Sequence, residues 1–154
     1  MDESNKINRK DTDTGPHFIE MDNWLSCAPF ETLLELKIEK IEKGTAILSM
    51  PFLFQFSQGA GLLHGGALTS LADTAVALAC KSLLPPNTHF ATLSLESRFL
   101  APVRKGIVTA HAKVEEGDER SLHGEAILID QDGIEVMHFK SLFKIARKQK
   151  MKME

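Results

Sequence analysis

Residues 67–80 form an apolar run with no glycine or proline inside it and one acid, Asp73. As a helix this run is apolar on nearly every face, and such a helix must be buried. It is too short to cross a bilayer, and Pro85-Pro86 ends it. The rest of the chain therefore has to supply a cover.

That cover reads as strands. Leu34, Leu36 and Ile38 alternate with Glu35, Lys37 and Glu39, the period-two pattern of a half-buried strand. Glu42-Lys43-Gly44 is a turn, and 45–52 is a second strand. The phase slips at Ile41, which predicts a bulge there. Four more strands are expected over 90–100, 106–114, 121–129 and 134–145. In the first of them Ala91, Leu93, Leu95 and Phe99 alternate with Thr92, Ser94, Glu96 and Arg98. The connections are short, with Glu116-Gly117-Asp118 and the hairpin signal Asp132-Gly133, so neighbours pair antiparallel. Ahead of the strands, Phe18, Met21, Trp24 and Leu25 recur at helical spacing and predict a short amphipathic helix ending near Cys27. The expected class is α+β, one antiparallel sheet wrapped around one long central helix. A single domain is expected over 17–146, with a disordered leader over 1–16 and a basic, frayed tail over 147–154.

Several function classes are excluded at this stage. A formal net charge of −3 provides no basic field for nucleic acid. Two cysteines make no disulfide framework, and the N-terminus lacks a signal-peptide core, so a reducing, cytoplasmic setting is expected. His17, His89, His111, His123 and His138 show no metal-ligand spacing, so no metal is expected.

The chemistry concentrates on the helix. An unpaired buried carboxylate is costly, and the usual responses are a raised pKa or a specific partner. Asp73 is therefore a functional carboxylate, or it lies on a solvated edge or pairs with a nearby Arg or Lys. At the helix start lies His64-Gly65-Gly66, where backbone N–H groups lack intrahelical partners and can hold an oxyanion or a polarised carbonyl. The plain alternative is a tight turn that needs glycine. Gly65 and Asp73 are eight residues apart, about 12 Å along one helix. That is too far for both to act on one carbonyl. They can cooperate only across two antiparallel helices, in a two-fold dimer with two composite sites.

The run Gln58-Gly59-Ala60-Gly61-Leu62-Leu63-His64-Gly65-Gly66-Ala67-Leu68-Thr69-Ser70-Leu71-Ala72-Asp73 resembles the signature of hotdog-fold thioesterases of the phenylacetyl-CoA type. The strand Ala91-Thr92-Leu93-Ser94-Leu95-Glu96-Ser97-Arg98-Phe99-Leu100-Ala101-Pro102 resembles the same family. The resemblance implies a hotdog fold and hydrolysis of an acyl-CoA thioester, a reaction that needs a polarised carbonyl, a carboxylate and water but no cofactor. In its terms Asp73 is the catalytic carboxylate, as nucleophile or as base for water. The Gly65 N–H holds the thioester carbonyl, Thr92 assists the carboxylate or orients water, and His64 shapes the turn. Gln58 stands where the family usually has Asn, one methylene longer.

Gly66, Thr69 and Val76 are expected to contact substrate, and Arg98 and Arg120, with Arg104 and Lys105 near them in type, are candidate cations for the phosphates of CoA. A homodimer is implied, with a tetramer as a dimer of dimers. The competing readings are a hotdog 3-hydroxyacyl-thioester dehydratase and a non-catalytic acyl-CoA or lipid-binding module.

Overall fold

The computed structural model describes residues 13–147. Most of the expected leader, and the tail from 148, lie outside the described residues; 13–16 take no regular structure and are exposed. The element order is α1 (Pro29–Leu33), β1 (Lys37–Glu42), β2 (Thr45–Pro51), α2 (Gly65–Lys81), β3 (Phe90–Phe99), β4 (Ile107–Glu116), β5 (Ser121–Ile129) and β6 (Glu135–Ile145). The six strands form one antiparallel sheet in the order β1-β2-β4-β5-β6-β3. Helix α2 lies across one face of it and packs chiefly on β2, β4 and β5. This is the hotdog arrangement.

The core is the interface between α2 and the sheet. Leu68, Leu71, Ala72, Ala75, Val76 and Ala79 of the helix meet Leu48, Met50, Val108, Ala110, Leu128 and Phe139 of the strands. Small residues let helix and sheet approach closely, most of all at Gly124 of β5. A Cβ built on Gly124 would lie 2.1 Å from Cγ1 of Val76. Gly124→Ala is therefore expected to overpack the core, costing about 1–3 kcal/mol. For a chain of this length that lowers Tm by roughly 2–12 °C. An unchanged Tm by calorimetry would show that α2 can move away without penalty.

Four expectations need correction. The helix predicted over 18–27 does not form. Asn23 Oδ1 accepts the Leu25 N–H and the Ser26 hydroxyl donates to the Asn23 carbonyl, so this stretch closes into a turn, and Phe18 stays 74% exposed. The helix comes later, with Pro29 in its first turn, where a missing N–H costs nothing. It ends at Leu34 with the Glu35 and Leu36 N–H groups reaching back to the Thr32 and Glu31 carbonyls. Glu35 sits at φ 54° there, so Leu34 and Leu36 are buried but precede β1 rather than belonging to it. The bulge in β1 falls between Ile38 and Lys40 instead of at Ile41.

The fourth correction shapes the site. The ladder between β3 and β6 shifts between Thr92 and Ser94, so Leu93 is an extra residue in the strand. Before it Thr92 pairs with buried Phe143; after it Leu95, Ser97 and Phe99 pair with Ser141, Phe139 and Met137, all buried. The inward face of β3 is therefore Phe90, Thr92, Leu95, Ser97 and Phe99. A strict two-residue period would have put Thr92 on the other side.

Candidate active site

Helix α2 leaves one flank uncovered by the sheet: Gly65, Gly66, Thr69, Ser70, Asp73 and Ala77 are exposed or half-buried. This flank faces β3, the free edge of the sheet. Asp73 is half-buried there, and the Thr92 hydroxyl donates to its Oδ1 at 3.0 Å. Burial pushes the Asp73 carboxyl up; the Thr92 hydrogen bond pulls it back, and the negative charge of Glu31 on α1 adds to the rise. A carboxylate whose pKa lies above the ordinary value is a stronger base than an ordinary aspartate. The thiol nearby is no rival, because Cys80 is wholly buried and is pushed up to about 12 by burial and by Asp73.

At the other end of the flank, His64 caps the helix: its Nδ1 accepts the Gly66 N–H at 2.8 Å. The ring thus presents a lone pair inward. This bond closes the first turn of the helix, and it leaves the Gly66 N–H bonded to protein. No acceptor among the described residues takes the Gly65 N–H. A Cβ on Gly65 would lie 3.1 Å from the Phe99 ring, so a larger residue there would push that ring outward by a small amount. The Gln58 carboxamide oxygen accepts the Ala60 N–H, and the loop is closed by the Gln58 N–H on the Leu62 carbonyl. Gln58, Leu62, Gly65, Leu68 and Phe99 line one cavity of about 380 Å³.

The expected residues fall into two groups within one chain. Gln58, His64, Gly65 and Gly66 gather at the helix start, and Asp73 with Thr92 lies about 12 Å further along. Between them, Thr69 Oγ1 and Ser97 Oγ are hydrogen-bonded at 2.9 Å. Three other candidates sit elsewhere. Val76 is fully buried against Gly124, so it belongs to the core and lines no part of this cavity. Arg98 is on the outer face of β3, 3.8 Å from Glu96. Arg120 is tied to the sheet end, its Nη1 donating to the Ile145 carbonyl at 3.4 Å.

Glu31, Ser97 and Phe99 reach the site without having been singled out, because tertiary packing rather than local pattern brings them to α2. Among the described residues no group of three His, Cys, Asp or Glu is placed to hold a metal.

The free edge of β3 is apolar as well as unpaired: Leu93 is 61% and Phe99 54% exposed. An exposed apolar edge strand is a template for pairing with another chain.

A family model described as the thioesterase superfamily matches residues 60–137. A protein of Saccharolobus solfataricus named as an esterase is 33% identical over 81 residues, 53% of this chain and 57% of that one. A 1,4-dihydroxy-2-naphthoyl-CoA hydrolase of Listeria monocytogenes is 30% identical over 78 residues, 51% of this chain and 63% of that one. The matches thus span less than two thirds of either relative's length. Among solved structures, a conserved protein of Pseudomonas aeruginosa superposes with a TM-score of 0.75 at 27% identity, covering 79% of this chain and 97% of that one. The PaaI protein of the E. coli phenylacetic acid degradation operon superposes with a TM-score of 0.72 at 26% identity, covering 78% and 86%.

Proposed function

The chain belongs to the thioesterase superfamily, and from that membership we propose that it hydrolyses an acyl-CoA thioester to a free carboxylic acid and CoA. The observation that carries the reading is the half-buried Asp73 carboxylate, held by Thr92 on the same helix flank as the unclaimed Gly65 N–H. The two are too far apart in one chain and complementary across two. Pairing of the β3 edge with a second copy sets two α2 helices antiparallel, flank to flank, so that each Gly65 meets the partner's Asp73.

In such a site the thioester carbonyl lies on the Gly65 N–H, and the carboxylate faces its carbon. As a base, Asp73 takes a proton from water while the water oxygen bonds to the carbonyl carbon. The tetrahedral oxyanion rests on the Gly65 N–H, then collapses and expels the CoA thiolate, which takes up a proton. As a nucleophile, Asp73 displaces the thiolate to form an anhydride that water then opens. A single oxyanion donor of this kind is worth about 10²–10³ in kcat. Thr92 fixes the carboxylate for either route. A dehydratase pairs a catalytic histidine with an acid on the facing subunit, and the placing of His64 in the His64-Gly65-Gly66 turn, with its Nδ1 on the Gly66 N–H, favours the thioesterase reading.

We assign the protein to the cytoplasm on its two unpaired cysteines. Among the described residues no helix is long and apolar enough to cross a membrane. A tetramer would pair two dimers through the outer sheet face, where Ile107 and Ile127 are exposed.

A free-thiol release assay over a panel of aryl, medium-chain and hydroxylated acyl-CoA thioesters tests the reading. Release from at least one member, saturable in substrate, is the expected result. Silence across the panel would remove hydrolysis and favour a non-catalytic acyl-CoA-binding module.

A further inference from the structure

A second cavity, of about 440 Å³, opens at the C-terminal end of α2, outside the site just described. Its lining is mixed: Ile19, Met21, Trp24 and Pro86 are apolar, and Glu20, Asn23, Lys81 and Asn87 are polar or charged. Trp24 is held rigidly: its indole N–H donates to the Lys81 carbonyl at 3.0 Å, and its ring meets Phe90 edge-on at 6.4 Å. The Lys81 ammonium lies 4.7 Å from the Trp24 ring centroid and makes no ion pair among the described residues. Asn23 spends its carboxamide oxygen on the Leu25 N–H, which leaves its amide hydrogens as donors.

Such a mixed lining suits a ligand that joins a flat ring system to charged groups, as a nucleotide does. An aromatic wall stacks a base, a carboxamide donates to ring nitrogens, a carboxylate accepts from an exocyclic amine or ribose hydroxyls, and an ammonium meets phosphate. The placement also fits. Lys81 is eight residues beyond Asp73, about 12 Å along the same helix. Phe90, which carries Trp24, stands two positions before Thr92 on β3.

We propose that this cavity holds the adenine nucleotide of the thioester substrate, with Trp24 as its stacking wall and Lys81 as its phosphate-binding cation. The identity of the ligand as CoA rests on the hydrolase reading above; the chemistry of the cavity does not.

The chain has one tryptophan and no tyrosine, so emission excited in the indole band reports Trp24 alone. Titrating the full chain with CoA should change that emission saturably. ADP should do the same with weaker affinity, and pantetheine should not. Lys81→Gln should raise the Kd for ADP about tenfold by removing one charged contact to phosphate. An ADP titration that leaves Trp24 emission unchanged overturns the proposal, as does an unaltered Kd in Lys81→Gln. Pantetheine acting as strongly as CoA overturns it too. Turnover of thioesters without any emission change sinks the nucleotide site alone. Emission change on ADP with no turnover of any thioester leaves the nucleotide site supported and removes the hydrolase reading instead.

Discussion

Asp73→Asn will fold, melt at a higher temperature than the parent at neutral pH, and turn over acyl-CoA about 10²–10⁴-fold more slowly. The amide is isosteric and still accepts the Thr92 hydroxyl, so the local geometry survives. It cannot take a proton from water and is a poor nucleophile, so both routes through Asp73 close. The stability gain follows from the direction of the carboxyl's shift. Burial raises its pKa above the ordinary 3.8, so the folded chain holds that proton more tightly than the unfolded chain. Stability then falls as pH rises from about that ordinary value through the raised one, and above it the buried charge is a standing cost. The amide has no charge to bury. Its advantage in Tm should be largest at neutral pH and fade as pH drops towards the ordinary carboxylate range. Near-parental turnover by a folded Asp73→Asn protein would take Asp73 out of the mechanism.

Mixing two inactive variants should restore activity. Gly65→Pro removes the N–H assigned to the carbonyl, at a first-turn position where proline is tolerated. His64 already has φ −63° and ψ 130°, the extended conformation that a following proline favours. The added ring presses on Phe99, which is half exposed and free to yield. Asp73→Asn disables the opposite end. If each site takes Gly65 from one chain and Asp73 from the other, a mixed dimer has one doubly damaged site and one intact site. Random reassortment makes about half the dimers mixed, so activity should recover to roughly a quarter of the parent's. Each variant carried alone through the same unfolding and refolding should stay nearly inactive. Verified mixed dimers with no recovery would show that the two residues do not meet across the interface.

The elements that could be read from sequence are those whose pattern is local. The apolar run announced α2, short only by Gly65, Gly66 and Lys81 at its ends; glycine is a poor helix former, and here the His64 cap supports that first turn. Apolar spacing over Phe18 to Leu25 was misleading, because Asn23 and Ser26 bond their own backbone and close a turn. In β3 the sequence alternates through Leu93 while the ladder does not, so the face carrying Thr92 was hidden until the bulge was seen. Asp73 stood out as a lone acid in an apolar helix. Glu31, Ser97 and Phe99 carry no such mark; each matters through what packs opposite it, and sequence does not state that.

Gly124 has a consequence for the carboxylate it never touches. Val76 drops into the space where a side chain at Gly124 would be, as a key drops into its slot. At about 100° per residue, Asp73 stands some 60° round the helix from Val76. Slip the helix by one residue and Asp73 swings away from Thr92 by a further 100°. The azimuth of the reactive group is thus indexed by a missing methyl group on a strand two places along the sheet from Thr92's own. A lineage that drifts at position 124 would be retiming its chemistry while seeming only to repack its core.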